Sequence, residues 1–120
     1  MSRKVVVTGM GAVSPIGNSV SEFRDSLKAG KSGIAPITAF DIADFDVTIA
    51  GEVKNFDPAR WMEKKDARKM CRFTQLAVAA TSEALDQAGL VETVAAPAGE
   101  GRVRRVKSDP FRTGIVLGNG

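Results

Sequence analysis

The chain of 120 residues contains no histidine and a single cysteine, Cys71. Serine–histidine triads, cysteine–histidine pairs and histidine-ligated metals are therefore impossible within it. One cysteine also excludes an internal disulfide and a cysteine zinc cluster. No apolar run approaches the roughly 18 residues of a membrane-spanning helix. The basic start, Met-Ser-Arg-Lys, leads into only Val5, Val6 and Val7 before Thr8. That run is too short for a secretory leader, and no small-residue cleavage pattern follows. Charge of one sign is scarce as well. Seventeen basic residues against 14 acidic leave +3, too little by itself to imply a nucleic acid or membrane partner.

What is present is ordinary globular composition, 43% apolar and 26% charged, in a length that allows one modest domain. Arg3 to Gly11 reads as a strand entering a glycine turn, its consecutive valines suited to burial on both sheet faces. Ser19 to Gly30 reads as a helix, with Ser19 and Glu22 spaced as a capping box and Gly30 as the stop. Val20, Phe23 and Leu27 give it one apolar face. Ile34–Ile37 and Thr48–Val53 read as short extended segments, and Phe40, Phe45 and Phe56 as anchors for the loops. Asp57-Pro58 signals a helix start.

Lys64 to Gly89 reads as one long helix. Met70, Phe73, Ala77, Ala80, Ala84 and Ala88 form a stripe, and its alanines predict a close approach to a neighbour. Residues 91–111 hold prolines, glycines and four basic residues between Arg102 and Lys107, and read as a surface loop with room for a small hairpin. Gly114–Gly118 reads as a second buried strand running into a turn, an unusual place for a domain to finish. The expected class is α/β. No internal repeat is present.

Gly9-Met10-Gly11 after a strand invites comparison with a dinucleotide-binding turn, but Ser14-Pro15 stands where a third glycine is needed. Asp25 falls within a helix rather than at a strand end. Glycines shaping a strand-end turn is the simpler reading. Lys65, Arg68, Lys69 and Arg72 stand at i, i+3, i+4 and i+7, on a helix face about 100° wide. Arg60 and Lys64 add charge nearby. These residues make either a solvated helix face or a docking surface for an acidic protein or phosphate. Aromatics do not interleave with them, which argues against base stacking. Cys71 has positive neighbours but no histidine base, so it reads as an inert thiol.

The blocks RKVVVTGMGAVSPIGNSV, LKAGKSGIAPITAFD, IAGEVKNFDP and KKDARKMCRFTQLAVAATSEALDQAGL, with the terminal RTGIVLGNG, resemble the N-terminal region of β-ketoacyl-acyl-carrier-protein synthases. The elongating synthase II type of bacterial fatty-acid synthesis is the most similar. The resemblance is colinear over nearly the whole chain. It implies a thiolase-like fold of two α/β halves, of which residues 1–120 form an incomplete N-terminal part. It also implies a cytoplasmic homodimer acting on acyl carrier protein, with no cofactor, metal, nucleic acid or membrane partner. The acyl-accepting cysteine and two histidines lie beyond Gly120 in the family pattern. Cys71 stands in a Lys-Met-Cys segment where relatives usually carry an acidic residue, and the closing Gly-Asn-Gly departs from a common serine. The resemblance places Lys65, Arg68 and Lys69 at carrier docking. A non-catalytic carrier-binding module and a nucleotide-binding α/β domain are the alternatives.

Overall fold

A computed structural model describes residues 3–95 and 102–118. In chain order these form α1 (Val20–Lys28), β1 (Ile34–Pro36), β2 (Ile49–Gly51), a 3₁₀ turn at Pro58–Arg60, α2 (Lys64–Ala67) and α3 (Arg72–Gln87). β3 (Val91–Ala95), β4 (Arg102–Val106) and a 3₁₀ turn at Pro110–Arg112 follow. β1 pairs antiparallel with β2, Ala35 opposite Ala50, and β3 pairs antiparallel with β4, Thr93 opposite Arg104.

Local chemistry explains the element ends. Ser19 Oγ accepts from the Glu22 N–H at 3.2 Å, and Glu22 Oε2 reaches back to accept from the Asn18 N–H at 2.7 Å. The first of these bonds is that of the usual capping box, and the return bond falls on the N–H one residue before the cap. α1 and α3 close alike. Gly30 (φ +63°) and Gly89 (φ +66°) take the left-handed conformation. Lys31 N–H then donates to Ser26 and Leu90 N–H to Leu85, each at or near 3.0 Å, which satisfies carbonyls left open at a helix end. Asp57 and Asp109, each before a proline, accept from the N–H two residues on at 2.9 Å.

α3 organises the remainder. The chain from Gly9 to Ala12 lies along its alanine face, so a Cβ built on Gly9 would fall 2.1 Å from the Ala84 carbonyl oxygen. One on Gly11 would fall 1.8 Å from that of Ala80. These glycines are needed for close approach, not for a positive φ; the tight-turn reading of them is corrected accordingly. Two residues of extended chain span about 6.6 Å and one helical turn about 5.4 Å, so alternate residues meet successive turns. Polar groups on α3 flank the contact. Gln87 Oε1 accepts from the Met10 N–H at 2.6 Å, and Glu83 accepts from Ala12 N–H at 3.0 Å and Val20 N–H at 2.9 Å.

Three expectations change. The helix expected over 64–89 is interrupted at 68–71, where Cys71 is extended (φ −63°, ψ 155°). Gln75 bridges the break, its Nε2 donating to the Ala67 and Met70 carbonyls at 2.8 and 3.3 Å. In a continuous helix those oxygens would take the N–H groups of Cys71 and Thr74. Phe73, expected on the buried stripe, is 56% exposed; the buried apolar side chains among the described residues are Ala67 and Ala79. Third, neither Val5–Val7 nor Ile115–Leu117 joins a sheet among the described residues. Val5 is 94% exposed and Val116 100%. An all-apolar strand requires neighbours on its edges and faces, and here it has none. The Cα radius of gyration, 17.7 Å, accordingly exceeds the about 13.6 Å of a compact domain of this length.

Within 91–111 a hairpin is present; the described part of it consists of β3 and β4, extended by Lys107 N–H donating to Leu90 O at 2.8 Å. Its basic residues are partly neutralised, Arg104 by Asp86 of α3 and Arg105 by Glu92 at 2.8 Å. Residues 96–101 lie outside the described residues.

The uncovered valine and Ile-Val-Leu runs generate a test. The 120-residue chain by itself is expected to associate as its concentration rises, because unpaired apolar strand edges template pairing. Size-exclusion chromatography with light scattering should show species above the monomer, reduced by the pair Val6→Lys and Val116→Lys. A monomer with a sharp cooperative melt would contradict this.

Candidate functional site

The three cations singled out from the sequence come together within five positions, on different local structure from that expected. Lys65 lies in the single turn of α2, Arg68 caps that turn, and Lys69 follows, its N–H donating to Asp66 O at 3.0 Å. All three side chains are exposed, and none enters an ion pair among the described residues. Ala67 between them is buried, 8% exposed, and pins the turn to the body while its neighbours project outward. The shared face of one long helix is therefore corrected to a compact cationic turn.

Arg72 leaves the group. Its guanidinium carbon stands 4.8 Å from the Phe56 ring centroid, and Nη2 donates to Val53 O at 3.5 Å. Such cation–π contact holds Arg72 to the 53–56 segment and takes it from the face it would share in a continuous helix. Phe56 thus serves as the anchor expected of it. Phe40 and Phe45 pack on one another edge-to-face, 5.5 Å between centroids, yet both remain more than half exposed.

Sequence reasoning missed the polar residues that organise the segments around β1 and β2. Glu52, next to β2, accepts from Thr38 Oγ1 at 2.7 Å, from Thr38 N–H at 3.0 Å and from Ala39 N–H at 2.9 Å. The Thr38 hydroxyl, then the Thr38 and Ala39 amides and the charge of Lys54, hold its carboxyl below the ordinary glutamate value. A cleft of about 260 Å³ lies between the Ser14–Asn18 turn, Lys31–Gly33 and Lys54–Asn55. Asn18 Nδ2 donates there to Lys54 O at 2.9 Å, and Asn55 takes φ +56°. No histidine exists to pair with Cys71, which is exposed. Among the described residues no group of histidine, cysteine, aspartate or glutamate is placed to hold a metal, and no helix is long and apolar enough to cross a membrane.

The folded segment is an α/β unit of thiolase type, incomplete in its sheet and carrying an exposed cationic turn. Residues 2–120 match the family model described as "Beta-ketoacyl synthase, N-terminal domain", and the chain belongs to the β-ketoacyl synthase family. It is 42% identical over 118 residues to 3-oxoacyl-[acyl-carrier-protein] synthase 2 of Vibrio harveyi, covering 98% of this chain and 25% of that protein. It is 51% identical over 88 residues to the synthase 2 of Vibrio cholerae, 73% of this chain and 21% of the relative. A solved structure, the ishigamide ketosynthase/chain length factor, superposes with a TM-score of 0.65 at 46% identity, covering 71% of this chain and 21% of that one. The synthase II resemblance drawn from the sequence agrees with these relatives. The chain spans about a quarter of their length.

A titration checks the Glu52 arrangement. A carboxylate whose folded pKa is depressed adds stability that is full above the unfolded value, about 4.3, and is lost as pH falls through the folded value. The Glu52 carboxyl carbon followed by NMR should titrate below the ordinary range. Thr38→Val, which removes the leading hydrogen bond, should move the midpoint upward. An unchanged midpoint would show that Thr38 Oγ1 does not hold the charge.

Proposed function

We propose that this chain supplies the N-terminal scaffold and part of the carrier-docking surface of a 3-oxoacyl-[acyl-carrier-protein] synthase of fatty-acid synthesis, a homodimer of the cytoplasm. The reaction of the whole enzyme is a decarboxylative condensation. An acyl group is first transferred to a cysteine thiol. The carbanion left when malonyl-carrier loses carbon dioxide then attacks that thioester carbonyl, forming the carbon–carbon bond and releasing the thiolate. The chain grows by two carbons. Covalent catalysis of this kind divides one difficult step into easier ones. The family pattern puts the reacting cysteine and both histidines outside residues 1–120, and Cys71 takes none of their roles.

The observation that carries this reading is the colinear family match over residues 2–120, joined to three exposed cations free of ion pairs among the described residues. An acidic carrier protein with a phosphopantetheine arm is the partner whose charge complements them, through steering and contact. Arg104 and Arg105 are weaker candidates, since each already meets a carboxylate.

Two measurements test the proposal. The 120-residue chain, assayed with acyl- and malonyl-carrier, is expected to form no ketoacyl product; formation by contaminant-free protein would overturn the assignment of chemistry elsewhere. In an intact synthase carrying this N-terminal sequence, Lys65→Glu, Arg68→Glu and Lys69→Glu together should weaken carrier binding, most at low salt. Exposed charge contacts contribute about 0.2–1 kcal/mol each, so the expected loss for three is about 3- to 150-fold. Turnover of a small acyl thioester should change far less. Equal losses on both substrates would assign the turn to the fold instead of the partner.

A further inference from the structure

We propose that Gln75 is a positioning residue for carrier docking. Its side-chain amide holds the Arg68–Lys69 turn open against continuation of the helix. The inference rests on the docking reading of Lys65, Arg68 and Lys69 and extends it to a residue that carries no charge and need not touch the carrier.

The argument starts from donor counting. A glutamine amide nitrogen has two N–H donors. Gln75 Nε2 meets two carbonyls, Ala67 O at 2.8 Å and Met70 O at 3.3 Å, so its donor capacity is used in full. Those two oxygens flank Arg68 and Lys69. Gln75 itself sits in the first turn of α3, its own N–H donating to Cys71 O at 3.2 Å, and so braces the turn from a rigid sixteen-residue helix.

The competing conformation is written in the same sequence. Apolar residues recur at helical spacing straight through 64–88, and the lysines, arginines and methionine of Lys64–Arg72 are good helix formers. Besides the amide, Ala67 O has the Met70 N–H at 3.3 Å; without the amide, the N–H groups of Cys71 and Thr74 are the helical donors to Ala67 O and Met70 O, and they would join α2 to α3. Each residue added to regular helix turns the next by about 100°, so Arg68 and Lys69 would be re-aimed relative to Lys65. Arg72 would leave Phe56 and Val53. One amide therefore selects between an open cationic turn and a plain helix face. Leucine fills the same space with no donors, and glutamate would set acceptors against carbonyls.

The test uses an intact synthase carrying this N-terminal sequence, with an acyl-carrier substrate and a small acyl-pantetheine thioester as probes. Gln75→Leu should raise KM for the carrier-linked substrate about three- to tenfold, the range of a lost hydrogen bond. kcat on both substrates and KM for the small thioester should stay within about twofold. In an Arg68→Ala/Lys69→Ala background the same substitution should add nothing, and hydrogen exchange across residues 68–74 should slow as the helix closes. Gln75→Met, unbranched and of equal length, repeats the measurement should Gln75→Leu not be recovered folded. The proposal is overturned if carrier KM is unchanged while Arg68→Ala/Lys69→Ala raises it. Equal loss on both substrates, or full additivity with Arg68→Ala/Lys69→Ala, would overturn it too by assigning Gln75 to general stability. If Arg68→Ala/Lys69→Ala has no effect by itself, the docking reading fails first and this inference with it.

Discussion

The contact between the Gly9–Ala12 backbone and the alanine face of α3 is the constraint on which the other placements depend. It requires three things at once: no Cβ at Gly9 and Gly11, small side chains at Ala80, Ala84 and Ala88, and acceptors for the backbone amides alongside. Glu83 and Gln87, one turn apart, meet the last requirement by taking the Met10, Ala12 and Val20 N–H groups. Buried backbone donors without acceptors would each cost about as much as a lost hydrogen bond. Glu83 also ties α1 to α3, since one carboxylate accepts from both Ala12 and Val20.

From that contact outward the structure divides into a tied part and an untied part. α1, α3 and the β3–β4 hairpin are joined by caps, charge-assisted hydrogen bonds and the Arg104–Asp86 pair. The valine run and the Ile115–Leu117 run, the most sheet-like residues of the chain, have no partner among the described residues. The α/β character expected from them is therefore present as sequence and not as a sheet, while the family match accounts for it as part of a larger thiolase-type fold.

The cationic turn gathers the same three residues that spacing grouped, on a different local shape from the one expected. Spacing at three and four residues found Lys65, Arg68 and Lys69, because both a helix and a closed turn bring such positions near one another. It also drew in Arg72, which the structure gives to Phe56. No spacing rule distinguishes a charge that faces water from one that covers a ring. Glu52, Gln75 and Glu83 were legible only as polar residues near helices or strands. Their partners lie up to 71 residues away in sequence, beyond the reach of local pattern.

The sequence by itself determined what depends on near neighbours: the caps at Ser19 and Asp57, the glycine stops at Gly30 and Gly89, and the extended segments at Ile34 and Ile49. It determined, through the absence of histidine, that no histidine-dependent chemistry resides here. Through its family blocks it determined the fold to which the chain belongs. Only the tertiary structure decided that Gly9 and Gly11 serve close packing, that the long helix breaks at Arg68–Cys71, and that Arg72 turns to Phe56 and Val53. The reason is common to all three. Each outcome is set by a competition for a hydrogen-bond partner or for space, with Gln75 a turn or two along the chain at the helix break and with residues farther off in the other two, and local propensity does not rank side-chain competitors of either kind.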